Sequence, residues 1–286
     1  MSSNQPTVPA PSTLRFKIGG DHSNYHCGCA AVIDCLRGEL LRGGTIHEDD
    51  SYDCYILNGE GTMHHNSPGF RGKMKTIERE LSKGKKVYLI NTVWQENPNE
   101  YDHLLRALSG IVVREQMSHD DLLSRHGIPS IIRLDLSYHA PVDDTAPHTD
   151  LNGRAAITDF WVPQFGTFMR HTEAFEKVPY LDMRAMSWSS LVNTLRTGSV
   201  LITGRHHAVF AACRARIPFV ALEGNTHKIQ GLIRTSGLPI PVCHNPRDLE
   251  RQVDWARMNR ALYDELFWWM DEQPRFTLAD LNLPGC

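Results

Sequence analysis

The feature that most constrains this chain is an alternation. Short apolar runs of strand length are separated repeatedly by stretches of helical periodicity, and the pattern occurs in both halves of the 286 residues. In the first half, 14–18, 52–57, 87–91, 111–113 and 131–136 read as strands, and 29–41, 70–83, 100–108 and 119–125 read as helices. Met74, Ile77 and Leu81 share a face of the second helix; Ser118 caps the fourth, Asp120 and Asp121 occupy its first turn and Gly127 ends it. In the second half, strands are expected at 155–162, 180–183, 200–202, 218–222 and 239–243, with helices at 167–177, 189–196, 206–214 and 226–235. Asn245 followed by Pro246 opens a last helix running to about 272, with Trp255, Met258, Leu262, Leu266, Trp269 and Met270 as its apolar stripe. Alternation on this scale predicts an α/β protein with mainly parallel sheets covered on both faces.

The pattern breaks once, in a segment bearing Pro141, Asp143, Asp144 and Pro147 and closing on Gly153. The expected organisation is therefore a disordered Ser/Pro-rich leader (1–13), a first Rossmann-like domain (14–137), a linker (138–153), a second Rossmann-like domain (154–244) and a C-terminal helical segment packing back across both (245–286). A formal charge of −3 lends no support to a nucleic-acid partner. No apolar run has bilayer-spanning length, the first residues lack the layout of a signal peptide, and seven scattered cysteines make no disulfide framework, so a reducing cytoplasm is expected. His26-Cys27-Gly28-Cys29 has the makings of half a zinc site, but the spacing is not Cys-x-x-Cys and no second pair follows, so neither metal nor cofactor is expected.

Ligands of Rossmann-like units gather at the carboxyl ends of their strands. The most telling such place is 199–213, where an apolar strand turns at Gly204 into a helix and sets Arg205, His206 and His207 beside unpaired backbone N–H groups, the outline of an anion site. In the first half the equivalent places are Asn24, Tyr25 and His26 in the loop after the first strand, the run Gly59-Glu60-Gly61-Thr62-Met63-His64-His65 after the second, and Asn91 and Trp94 after the third. Glycines flanking Glu60 let backbone approach a ligand closely.

Three segments resemble the polysaccharide pyruvyl transferase family. Val112-Val113-Arg114-Glu115 with Ser118, Leu122, Gly127 and Leu134-Asp135 is similar to its Arg-Glu, Ser, Leu, Gly and Asp series. Thr203-Gly204-Arg205-His206-His207-Ala208 is similar to its Arg-Leu-His-Ala signature, and Pro218-Phe219-Val220-Ala221 with Lys228 and Gly231 to its Pro-strand and Ser-Lys-x-x-Gly series. The likeness runs from about Arg15 to Met270. His206 stands where the middle Leu is usual, Glu60 interrupts a glycine run, and the Asn-x-Gly element is only approximated by 24–28.

The resemblance implies a GT-B-like pair of Rossmann-like domains facing across a cleft, with phosphoenolpyruvate as donor and a pyruvate ketal on a surface or capsular glycan as product. Arg205 and Lys228 would meet the donor's carboxylate and phosphate, with His206, Asn225 and Arg114 in the same binding set, although Arg114 and Asp135 could equally be structural partners at strand ends. Asn24, Gly59, Gly61, Thr62, His64, Asn91 and Trp94 would line the cleft from the first domain. His207, alongside Arg205, is the first candidate for proton transfer, and Glu60, His65 and His64 in the facing domain are candidates for deprotonating the acceptor hydroxyl. A lipid-linked sugar acceptor would bring the protein to a membrane surface. Two alternatives stand beside this reading: a glycosyltransferase using a nucleotide-activated sugar on the same scaffold, and a non-catalytic glycan- or anion-binding protein.

Overall fold

The computed structural model of the chain describes residues 14–283, and the expected leader at 1–13 lies outside the described residues. The first sheet contains β1 (Leu14–Gly19), β2 (Gly44–Ile46), β3 (Cys54–Glu60), β4 (Lys86–Thr92), β5 (Gly110–Val113) and β6 (Ile131–Ile132), with helices α1 (Cys27–Gly43), α2 (Pro68–Ser82), α3 (Asp102–Ala107) and α4 (Gln116–His126). Its strand order is β2-β1-β3-β4-β5-β6, parallel throughout. The second sheet contains β7 (Ala156–Ile157), β8 (Leu201–Thr203), β9 (Phe219–Leu222) and β10 (Val242–Cys243) in the order β10-β9-β8-β7, again parallel. Around it lie α5 (Pro163–Arg170), α6 (Glu173–Glu176), α7 (Trp188–Arg196), α8 (His206–Ala215) and α9 (Lys228–Ser236), and the chain ends in α10 (Leu249–Met258) and α11 (Arg260–Glu272). The central strands β3, β8 and β9 are buried along their whole length, as parallel strands covered on both faces must be.

Several elements differ from expectation for identifiable reasons. The edge strand β2 is absent from the pattern because Gly44-Thr45-Ile46 is too short to show a period. The strand expected at 155–162 shrinks to Ala156–Ile157, and the one at 180–183 to a single bridge between Tyr180 and Ile157. Thr158 makes the last ladder contact, through its N–H to Ile202. The chain then turns away, because the Asp159 carbonyl accepts the Gly204 N–H and Phe160 lies over Gly204, where a Cβ would meet its Cα at 3.0 Å. The helix expected at 167–177 starts earlier, at Pro163, and breaks at His171–Thr172 into α5 and α6. The long C-terminal helix breaks at Asn259, whose side-chain amide takes the Trp255 carbonyl, so that Met258 is exposed while Leu266 and Met270 are buried.

Within the stretch read as linker, Tyr138, Ala140 and Leu151 are buried in the core. That core is shared between the two units: Cys27 and Ala31 of α1 pack with residues of α7 and α8. Gly28 is where α1 meets α8, since a Cβ there would collide with the Cβ and Cγ of His207. A second junction lies between α4 and α9. The fully buried Glu115 carboxylate accepts the N–H groups of Met117 and Ser118, lies 3.2 Å from His227 Nε2 across the junction, and occupies the space that a side chain at Gly231 would need. The C-terminal region touches both sheets: the Tyr263 hydroxyl donates to the Phe219 carbonyl, and Phe276, Leu278 and Leu281 pack with Phe16, Val32 and Leu36.

Gly28→Ala should therefore lower stability by about 1–3 kcal/mol, the usual cost of overpacking, because neither α1 nor α8 has space to move. Thermal unfolding of the parent and variant measures it, and an unchanged melting temperature would contradict this packing.

Candidate active site

The carboxyl ends of both sheets converge on one cavity of about 400 Å³. From the first sheet come His26 at the start of α1, Glu60 at the end of β3 with Gly61, Thr62 and His64 beyond it, and Arg114 just after β5. From the second come Arg205, His206 and His207 at the start of α8, and Asn225 and Lys228 after β9. No side chain caps the first turn of α8 among the described residues, so its N–H groups face the cavity region unshielded.

One carboxylate organises the cationic wall. Asp135 is fully buried; its Oδ1 accepts from the N–H and hydroxyl of Ser137, and its Oδ2 pairs with Arg114 Nη1 and lies 3.4 Å from His207 Nε2. Burial alone would raise its pKa, but His207 and Arg114 outweigh that and hold the carboxyl well below its usual range. Arg114 is 2% exposed, and beyond Asp135 its Nε and Nη2 have no hydrogen-bond partner among the described residues. Both ring nitrogens of buried His206 are likewise without a partner, and burial followed by the charge of Arg114 pushes its pKa well down. Lys228 Nζ bonds Asn225 Oδ1 at 2.8 Å; burial, then Arg114 and Arg205, lowers it to about 7. Arg205 reaches Asp159 at 2.6 Å and lies against the rings of Tyr25 and Trp161, with its guanidinium carbon 5.3 and 5.2 Å from their centroids. Buried cations with orphaned N–H groups are costly unless an anion completes them.

Gly61 faces this gap. A Cβ there would lie 3.5 Å from Lys228 Nζ and 4.0 Å from Arg114 Nη2, so the glycine keeps open the space between the two cations. Opposite them, Glu60 has φ +44°; its Oε1 accepts from Asn58 Nδ2 at 3.1 Å and its Oε2 from the Cys29 thiol at 3.3 Å. His64 is lowered to about 4, by burial and then by His65 and Lys228, and is neutral at physiological pH.

Ten residues singled out in the sequence meet here: Glu60, Gly61, Thr62, His64, Arg114, Arg205, His206, His207, Asn225 and Lys228. Five others are placed elsewhere. His65 turns outward, with Nε2 3.4 Å from Glu96, and touches the site only through His64. Asn24 is exposed in the loop before α1, and Gly59 lies behind the cavity wall against Thr92. Asn91 joins strand ends, donating to Asn58 and accepting from the Leu136 N–H, while Trp94 is in the core with its indole on His126. Tyr25 and His26, expected at the carboxyl end of the first strand, also line it, and the lining residues absent from the expected set are His22, Cys29, Ser67, Gly69 and Trp161.

The ligand atoms of His26, Cys29 and His207 lie within 4.8 Å of one another, a spacing that could suit a metal. The donor chemistry does not. His26 caps α1 by accepting the Gly28 and Cys29 N–H groups at Nδ1, at 3.1 and 3.3 Å, so in the neutral ring Nε2 carries the proton. Burial, followed by the charge of His207, lowers His26 to about 3 and keeps it neutral. It therefore presents an N–H, where a ligating histidine must present a lone pair.

Two facing Rossmann-like units with a cation-lined cavity at their strand ends give the chain a GT-B-like fold. The family model for polysaccharide pyruvyl transferases matches residues 6–226, and the chain belongs to that family. Solved structures share the fold at low identity. A Klebsiella pneumoniae protein of uncharacterised function has a TM-score of 0.57 at 12% identity, covering 79% of this chain and 90% of that one. A proposed UDP-N-acetylglucosamine 2-epimerase from Listeria monocytogenes gives 0.56 at 11%, covering 89% and 90%, and the glycotransferase of kitacinnamycin gives 0.53 at 12%, covering 92% and 95%. No curated protein matches the chain. Among the described residues no helix is long and apolar enough to cross a membrane.

Two outcomes follow for anion binding, with sulfate as probe. An anion favours the charged form of Lys228, so binding above about pH 7 takes up a proton. Sulfate affinity should fall as pH rises through about 7, by up to about tenfold per unit, and Lys228→Arg should flatten the dependence. Calorimetry in buffers of different ionisation enthalpy reads both affinity and proton uptake. Gly61→Ala should weaken sulfate binding while leaving the melting temperature near that of the parent, because its methyl enters the cavity instead of the core.

Proposed function

We propose that the protein transfers the pyruvyl group of phosphoenolpyruvate to two hydroxyls of a sugar in a glycan, forming a ketal and releasing phosphate. The observation that carries this reading is a pair of buried basic side chains facing each other across Gly61 in a small cavity, Arg114 with two nitrogens unpaired and Lys228 bonded to the neutral amide of Asn225. A compact donor with a carboxylate and a phosphate matches such a set, since each anionic group needs fixed N–H donors. Arg205 and the start of α8 provide further positive potential at the same wall.

In this mechanism, Arg114, Lys228 and Arg205 hold the donor. His207, oriented by Asp135, gives a proton to the methylene carbon, which makes the neighbouring carbon electrophilic. A sugar hydroxyl adds there as Glu60 takes its proton; the carbon–oxygen bond to phosphate then breaks, and a second hydroxyl closes the ketal at the same carbon as its proton passes to the departing phosphate. His64, neutral in the free protein, lies on the acceptor side as a hydrogen-bonding group. The set suits proton chemistry because Asp135 would stabilise His207 as a proton donor and Glu60 would accept a proton.

A nucleotide-sugar donor is the competing reading, favoured by the glycosyltransferase among the structural neighbours. Thermal-shift titration separates the two. Phosphoenolpyruvate should stabilise the parent protein and lose its effect in Arg114→Ala and Lys228→Ala; stabilisation by nucleoside diphosphates with no response to phosphoenolpyruvate would overturn the proposal. With a panel of glycans, turnover should appear as phosphate release matched by a mass gain on the sugar.

A further inference from the structure

The cavity contains two groups that the mechanism above does not use, His26 and Cys29, and they form a chain ending on Glu60. It starts at the N-terminus of α1, where the Gly28 and Cys29 N–H groups donate to His26 Nδ1. The ring passes the polarity on: with Nδ1 accepting, its Nε2 proton is directed at Cys29 Sγ, 3.6 Å away. Cys29 in turn has Glu60 Oε2 within 3.3 Å, and Asn58 Nδ2 supplies a donor to the other carboxylate oxygen at 3.1 Å. Every link has a defined direction because the backbone N–H groups at its head can only donate and an ionised carboxylate at its end can only accept. All three side chains line the same cavity as the orphaned nitrogens of buried Arg114 and His206.

We propose that Cys29 is a positioning residue for Glu60. Its thiol, held as an S–H donor by His26 behind it, fixes the Glu60 carboxylate in one orientation toward the cavity. The role of Glu60 as the base for the acceptor hydroxyl rests on the transfer reaction proposed above; the directed chain itself does not.

This assigns a chemical state to a cysteine that a metal reading would treat differently. A metal on His26, Cys29 and His207 requires a thiolate and a lone pair on each ring, whereas the helix cap requires a thiol and an N–H. Burial, then the charge of Glu60, raises the Cys29 pKa, in agreement with a thiol. The chain also accounts for the glutamate's position: Glu60 ends β3 with positive φ, and its two oxygens are met by Cys29 in the first turn of α1 and by Asn58 two residues earlier in β3.

The S–H stretch lies in an otherwise clear part of the infrared spectrum, so the test needs no substrate. The Cys29 band is identified in the intact protein as the band lost in Cys29→Ser, with the band lost in Cys213→Ser as the reference for a buried thiol. The expected result is a Cys29 band at lower frequency than that reference, shifting upward in Glu60→Gln, where the acceptor loses its charge. In protein labelled with 13C-glutamate, the Glu60 carboxylate stretch, identified as the band lost in Glu60→Gln, should move in Cys29→Ala and return toward the parent position in Cys29→Ser, because serine restores a donor. A Cys29 band at the reference frequency would overturn the proposal. So would the absence of any Cys29 S–H band together with stoichiometric zinc in the purified protein, or a Glu60 stretch indifferent to Cys29→Ala. If phosphoenolpyruvate fails to bind while these bands behave as expected, the transfer reading falls and the directed chain stands; the reverse outcome spares the donor site.

Discussion

The site depends on one buried charge. Asp135 has no contact with solvent, and a carboxylate there would be prohibitively costly were it not met by Arg114, the Ser137 hydroxyl and N–H, and His207. These partners come from three separate parts of the chain: the end of β5, the turn after β6 and the first turn of α8. Arg114 and Ser137 reach the carboxylate from the first unit, and His207 approaches it from the second. Its pairing leaves a surplus, because Arg114 spends one nitrogen on Asp135 and keeps others unpaired. The cavity thus presents unpaired N–H donors in a poorly solvated space, the condition under which oriented donors act most strongly on an anion.

The sequence shows the fold because parallel strands buried on both faces leave near-continuous apolar runs, and β3, β4, β8 and β9 all do so. Elements at the margins are harder to read. Thr158 to Val162 has strand-like composition, yet the Asp159 carbonyl is claimed by Gly204 and the chain is diverted, which carries Trp161 to the cavity mouth. The site is legible where a residue type has few uses: an Arg-His-His run at a helix start and a lysine after a buried strand. Asn91 and Trp94 show the limit. Both occupy the carboxyl end of β4, but side chains alternate across a sheet, and periodicity alone cannot say which of them faces the cleft. His26 and Cys29 illustrate the opposite case, in which spacing argues against a cluster that His207 completes from the distant α8.

Membership of the pyruvyl transferase family and likeness to GT-B structures carry different information. The structural likeness, at 11–12% identity, concerns how two Rossmann-like units are arranged, and this arrangement serves several chemistries. What separates one chemistry from another is the content of the cleft. Here that content is a compact group of cations around a glycine, faced by a carboxylate with donors on both oxygens.

The junctions on either side of the cavity bear on rates as well as on shape. Through Gly28, α1 is wedged against α8, while Glu115 is buried between α4 and α9, so swinging the units apart would strip apolar core on one side and hydrate a carboxylate on the other. Ligand exchange then falls to the mouth, where Tyr25 and Trp161 are partly exposed around Arg205. Reorientation of exposed side chains takes roughly picoseconds to nanoseconds, against microseconds to milliseconds for domain rotation. Exchange at such an entrance is set by side-chain reorientation and requires no domain rotation.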